Sequence, residues 1–90
     1  MTAIQRDVRI ANLRGLHARA SAKFVSMASQ LPVQIEVEKD GHRVCGTSIM
    51  GLMMLGAAMG DQITIHVDGE GAEESLAQLA ELVESRFGED

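Results

Sequence analysis

Apolar and polar positions alternate along the chain in a way that predicts strands, each with one buried face. Val8 and Ile10 alternate with Asp7, Arg9 and Ala11, and Ile4 falls in the same phase. Val33, Ile35 and Val37 alternate with Gln34, Glu36 and Glu38; Ile63, Ile65 and Val67 alternate with Gln62, Thr64, His66 and Asp68. Asp40-Gly41 is the strongest hairpin signal in the chain and introduces a third strand from about His42 to Gly46. A two-residue turn there pairs Lys39 with His42 and Val37 with Val44. Both valines then face one side, so the register agrees with the pattern. Cys45 points the other way.

Helical spacing fills the intervals. From about His17 to Gln30, Ser21, Phe24, Val25 and Ala28 make one stripe that Leu31 continues, and Pro32 stops the helix. Ser48 has the character of an N-cap, and Gly56 suits the position just past a short helix over Ile49–Leu55. That helix is apolar almost all round. We place Leu52 and Leu55 in the core, which leaves Ile49, Met50, Met53 or Met54 partly exposed as a docking face. The last helix begins with Glu70, Glu73 and Glu74 near its positive end. It buries Ala72, Leu76, Leu79, Ala80, Val83 and Phe87, and Arg86 and Gly88 mark its stop. Glu89 and Asp90 are expected to fray. The order is strand, helix, strand, strand, helix, strand, helix. This predicts an α+β domain over 1–90 in two layers, with a mostly antiparallel sheet covered by helices on one face and wet on the other.

Composition narrows the function. Hydrophobic residues are 46% of the chain but aromatic residues only 2%, so the core is aliphatic and there is no platform for stacking on bases. A net charge of −5 argues against nucleic acid or an anionic membrane as partner. Met1–Asp7 lacks a signal-peptide pattern, and Ile49–Met59 is too short to span a bilayer. Cys45, the single cysteine, has no internal disulfide partner and reads as an inert small residue. Together these features predict a cytoplasmic protein.

The chemistry concentrates in Gly15-Leu16-His17-Ala18-Arg19, where a loop becomes a helix. The first turn of a helix has N–H groups without partners and carries partial positive charge, so it favours a phosphoryl group. Histidine supplies a nucleophile that can be neutral at physiological pH, and Arg19 adds a forked cation. The plainer alternative is a cap-position histidine beside a solvated arginine. His42 and His66 read as surface strand residues. No metal-ligand spacing, Ser/His/Asp set or paired carboxylates stand out, and Gly56–Gly60 lacks the lysine of a nucleotide loop.

Gly15-Leu16-His17-Ala18-Arg19 with Ala22-Lys23-Phe24-Val25 resembles the active-site segment of the HPr family, the histidine phosphocarriers of the phosphoenolpyruvate-dependent phosphotransferase system. Ser48-Ile49-Met50-Gly51-Leu52-Met53 resembles the family's regulatory serine and second helix, at matching spacing. The resemblance covers essentially the whole chain and implies an open-faced β-sandwich. It implies that His17 takes a phosphoryl group on Nδ1 from phosphorylated enzyme I and passes it to an enzyme IIA domain, without being an enzyme itself. Arg19 would contact the phosphate, and the amides of Ala18 and Arg19 would bind its oxygens. Ile49, Met50 and Met53 would serve donor and acceptor alike. Ser48 would be open to an HPr serine kinase/phosphorylase. No metal or other cofactor is implied, and a monomer is expected. Ala20 stands where the family often has proline; alanine leaves the cap geometry intact. The Ala-Arg-Ala-Ser version is closer to carriers of a regulatory, nitrogen-related branch than to those of sugar uptake. The competing reading is a non-catalytic regulatory module that binds proteins through its methionine face, switched at Ser48.

Overall fold

In the computed structural model, which describes residues 3–89, the elements follow the expected order. They are β1 (Ala3–Arg9), α1 (Ala18–Ser29), β2 (Gln34–Lys39), β3 (His42–Cys45), α2 (Ile49–Met54), β4 (Gln62–Asp68) and α3 (Ala72–Glu84), followed by a 3-10 turn over Arg86–Gly88. The sheet runs β1-β4-β2-β3 with every neighbouring pair antiparallel. The hairpin has the register the turn dictates, with Lys39 opposite His42 and Val37 opposite Val44. Among the described residues no helix is long and apolar enough to cross a membrane.

Pairing aligns the alternations. Val8 faces Ile63, Ile4 faces Val67, Ile35 faces Val67 and Val37 faces Ile65, so one side of the sheet is aliphatic except at Arg6, which stands opposite Ile65 and pairs with Glu84 of α3. α3 packs on β1 and β4, α1 against α2 and α3, and α2 on β3. The core between the layers holds Phe24, Phe87, Ile10, Leu52, Ile63, Ile65 and Leu79, all fully buried. Each such side chain contributes about 1.5–3 kcal/mol of hydrophobic stabilisation. The other face carries Gln5, Asp7, Glu36, Glu38, Arg43, Thr64 and His66 and has no helix over it. Polar pairs tie its strands: Thr64 Oγ1 donates to Asp7 Oδ1 at 2.6 Å, His66 Nε2 meets Glu38 at 2.7 Å, and Arg43 meets Glu36 at 2.7 Å.

Several local expectations are corrected. Ala20 is fully buried on α1, whereas Val25 is only half-buried, so the stripe lies slightly further round the helix than the spacing suggests. Leu55 is half-buried rather than a core residue, because α2 ends at Met54. Gly71, with φ +79°, occupies the N-cap of α3, so Glu70 lies outside the helix and only Glu73 and Glu74 sit in its first turn. α3 stops at Glu84, two residues before Arg86. Phe87 therefore reaches the core by a different route: Arg86, Phe87 and Gly88 have φ of 63°, 55° and 75°, and this left-handed run folds the ring back under the helices. Glu89 does not fray, because it is hydrogen-bonded to two side chains; Asp90 lies outside the described residues.

Candidate functional site

The loop from Ile10 to His17 is built to hold the start of α1 still. Gly15 has φ +64°, and a Cβ there would stand 2.2 Å from the carbonyl oxygen of Ala57, so only glycine fits. The next residue, Leu16, is buried and donates its N–H to the same carbonyl at 2.9 Å. Asn12 is fully buried; its Nδ2 donates to Gly15 O at 2.8 Å and to Glu89 Oε1 at 3.0 Å. Ser21 adds a hydroxyl bond to Leu16 O at 3.2 Å.

His17 is the N-cap residue of α1, in extended backbone (φ −73°, ψ −179°), and its side chain does not cap the helix. The first helical bond runs from Ser21 N–H to His17 O at 2.9 Å. The amides of Ala18 and Arg19 have no acceptor among the described residues, and they are the unpaired donors that a helix start always leaves. The imidazole is partly exposed, and its Nε2 lies 2.7 Å from Glu89 Oε2. A carboxylate can only accept, so a neutral ring paired with it carries its proton on Nε2. That leaves the lone pair on Nδ1, which has no hydrogen-bond partner among the described residues. Arg19 is exposed and makes no ion pair among them.

Glu89 is the residue that sequence reasoning missed. Partial withdrawal from water pushes its carboxyl up. Hydrogen bonds from His17 and Asn12 and the positive charges of His17 and Lys23 outweigh that, and hold it below the ordinary value of 4.5. Lys23 of α1 also donates from Nζ to Phe87 O at 2.8 Å, which ties the C-terminal hook, Ser85 to Glu89, to the helix that carries His17. A charged residue one short of the last position gives no periodic signal; only the left-handed turn brings it back.

Ser48 is the N-cap of α2, as expected: its Oγ accepts Gly51 N–H at 3.0 Å. Of the apolar residues on α2, Leu52 is fully buried, while Met50 and Met54 are 68% and 80% exposed. Ile49 and Met53 are also exposed. Leu13, at 74%, and Met59, at 54%, are also exposed, in the loop before His17 and in the α2–β4 connector. The connector is the segment whose Ala57 holds Leu16, so these parts adjoin the histidine loop. Cys45 is exposed rather than packed; its thiol lies 3.0 Å from Thr47 Oγ1, and the hydroxyl and amide of Thr47 lower its pKa. Among the described residues no group of His, Cys, Asp and Glu is arranged to hold a metal ion.

Comparison with known proteins agrees with this geometry. The family model described as PTS HPr component phosphorylation site matches residues 4–85. A phosphocarrier protein HPr of Cupriavidus necator is 43% identical over 96% of this chain and 97% of its own length. A phosphocarrier protein NPr of Shewanella violacea is 36% identical over 99% of this chain and 98% of its own. The crystal structure of HPr-C-His from Thermoanaerobacter tengcongensis superposes with a TM-score of 0.91 at 42% identity, covering 97% of this chain and 98% of that one.

Proposed function

The chain belongs to the HPr family of phosphocarriers, and from that membership we propose that His17 carries the phosphoryl group on Nδ1. The observation that carries this reading is the 2.7 Å contact between His17 Nε2 and Glu89. It occupies the far nitrogen with a proton and leaves Nδ1 as the nucleophile. In the transfer, the Nδ1 lone pair forms the new N–P bond while the donor's bond to phosphorus breaks and its electron pair returns to the donor. Arg19 neutralises the equatorial oxygens as charge shifts, and the Ala18 and Arg19 amides donate hydrogen bonds to the phosphate oxygens at the helix start. Passing the group onward is the same step in reverse.

The donor in this reading is phosphorylated enzyme I and the acceptor an enzyme IIA-type protein. Each docks in turn on Ile49, Met50 and Met53, on a single-domain, monomeric, cytoplasmic carrier. The carrier chemistry is common to the sugar-uptake and nitrogen-related branches. A purely non-catalytic binding module is not favoured, because the relatives are named phosphocarriers. Incubation with enzyme I, magnesium and phosphoenolpyruvate should deposit an acid-labile phosphate on His17, absent in His17→Ala; a phosphate mapped to another residue rejects the reading.

Ser48 is the proposed regulatory position, for a serine kinase. A phosphate on its hydroxyl suits the start of α2 yet sets negative charge beside Ile49 and Met50, where an acidic partner would be repelled. Ser48→Asp should slow phosphorylation by enzyme I while leaving the unfolding midpoint nearly unchanged; equal rates in stopped-flow assays would remove this role.

A further inference from the structure

We propose that Asn12 is a positioning residue for phosphoryl transfer, acting through Glu89 on the ring of His17. The inference rests on the assignment of His17 as the phosphorylated residue. Three observations carry it. The Asn12 side chain is fully buried, and both of its known hydrogen bonds are donations from Nδ2, to Gly15 O at 2.8 Å and Glu89 Oε1 at 3.0 Å. The other oxygen of the same carboxylate takes His17 Nε2 at 2.7 Å. The third is a deficit: Asn12 Oδ1 is buried with no partner among the described residues.

The deficit is informative. Both neighbours of Nδ2 are acceptors only, so the amide has one productive orientation, which leaves its oxygen empty. An unpaired buried acceptor is destabilising, and a leucine of similar volume would fill the space without it. Asparagine is therefore explained by its two donors rather than by packing. One amide fixes the carbonyl of Gly15, two residues before His17, and also the carboxylate that receives the ring proton.

That arrangement fits the charge changes of the reaction. The form that can attack is the neutral ring with its proton on Nε2. Once Nδ1 bonds phosphorus, the proton stays on Nε2 and the ring becomes an imidazolium, balanced by Glu89. When the phosphoryl group leaves, the N–P electron pair returns to Nδ1 and the ring is neutral again. No proton enters or leaves in either direction. Without Asn12, Glu89 is held at one oxygen only. The ring then samples other rotamers and the tautomer with a proton on Nδ1, which cannot attack.

The test uses the full chain with Asn12→Leu, Glu89→Gln and the double variant. Two quantities are read: solvent exchange and 15N shifts of the His17 ring nitrogens, and enzyme I-dependent phosphorylation split into kcat and KM. Asn12→Leu should fold, exchange the Nε2 proton faster, and lower kcat by about three- to tenfold with KM for enzyme I unchanged. On the Glu89→Gln background it should add no further slowing, since both act through one contact. Unchanged exchange and kcat in folded Asn12→Leu, or fully additive losses, would overturn the proposal. If Asn12→Leu does not fold, Asn12→Ala takes its place with the same readouts: unchanged Nε2 exchange and kcat overturn the proposal, and faster exchange with lower kcat supports it. Ring exchange needs no phosphoryl transfer, so phosphate mapping away from His17 in the wild type would defeat the carrier site separately.

Discussion

Glu89 shows how one side chain makes the site sensitive to pH. Its carboxyl is held below 4.5 by the hydrogen bonds of His17 and Asn12 despite partial loss of water. A carboxyl depressed in the folded state contributes stability that is fully present above its unfolded pKa and is lost as pH falls through the folded value. The hook contact therefore persists at neutral pH and disappears in acid below 4.5. Urea unfolding of the wild type and Glu89→Gln should differ at pH 7, and the difference should shrink as the pH is taken into acid below 4.5; a difference that grows in acid contradicts the sign. Arg19 belongs to the same scale. It is exposed and makes no ion pair among the described residues, so truncating it takes away charge and no packing. Arg19→Ala should keep the unfolding midpoint within a few tenths of a kcal/mol and slow phosphoryl transfer at least about tenfold, roughly the loss of one charge-assisted hydrogen bond. Unaltered single-turnover rates would remove its role.

Among the elements, α2 was the most legible for function and the C-terminal end of α3 the least. A helix of six residues that is apolar all round has to leave part of that surface in water, and Ser48 at its cap fixed where it starts. The exposure of Ile49, Met50, Met53 and Met54 follows from that alone. Leu13 and Met59 are exposed too but sit singly in loops, where no period marks them. The register of β2 and β3 was readable because Asp40-Gly41 sets it and the valines agree. The end of α3 was not, because Phe87 falls in phase with the helical stripe and yet arrives by a left-handed turn after the helix has stopped. Met50 gives the element its test. At 68% exposure it contributes little to the core, so Met50→Glu should leave the unfolding midpoint within about 0.5 kcal/mol. It should weaken binding to enzyme I by about tenfold or more, the scale of one interface anchor. Calorimetry showing full affinity would move docking elsewhere, and an unfolded variant would put Met50 in the core.

At the scale of the molecule, the proposed relay residue His17, near one end of the chain, is contacted by Glu89 near the other. The two-layer architecture was legible because every strand alternates and each pairing brings apolar residues together on one side. Closure of the chain on His17 was not, since it depends on Arg86 and Phe87 adopting positive φ without being glycine. Such residues cost of order 1–3 kcal/mol each and persist only where surrounding structure holds them. Here the restraint is the buried Phe87 ring, with Lys23 on its carbonyl and Gly88 after it. The hook thus couples the core to the site: the burial of Phe87 that stabilises the domain also delivers Glu89 to the histidine. Phe87→Ala tests that coupling at both ends. Loss of the ring should cost about 3–5 kcal/mol, a large share of the roughly 5–13 kcal/mol expected for a domain this size, and lower Tm by more than about 10 °C. The same change should release Glu89, seen as faster exchange of the His17 Nε2 proton at temperatures where the variant is still folded. Phe87→Leu should recover much of the stability and restore slow exchange in parallel. A variant that loses stability while His17 keeps its protected proton would show that the hook and the site are held independently.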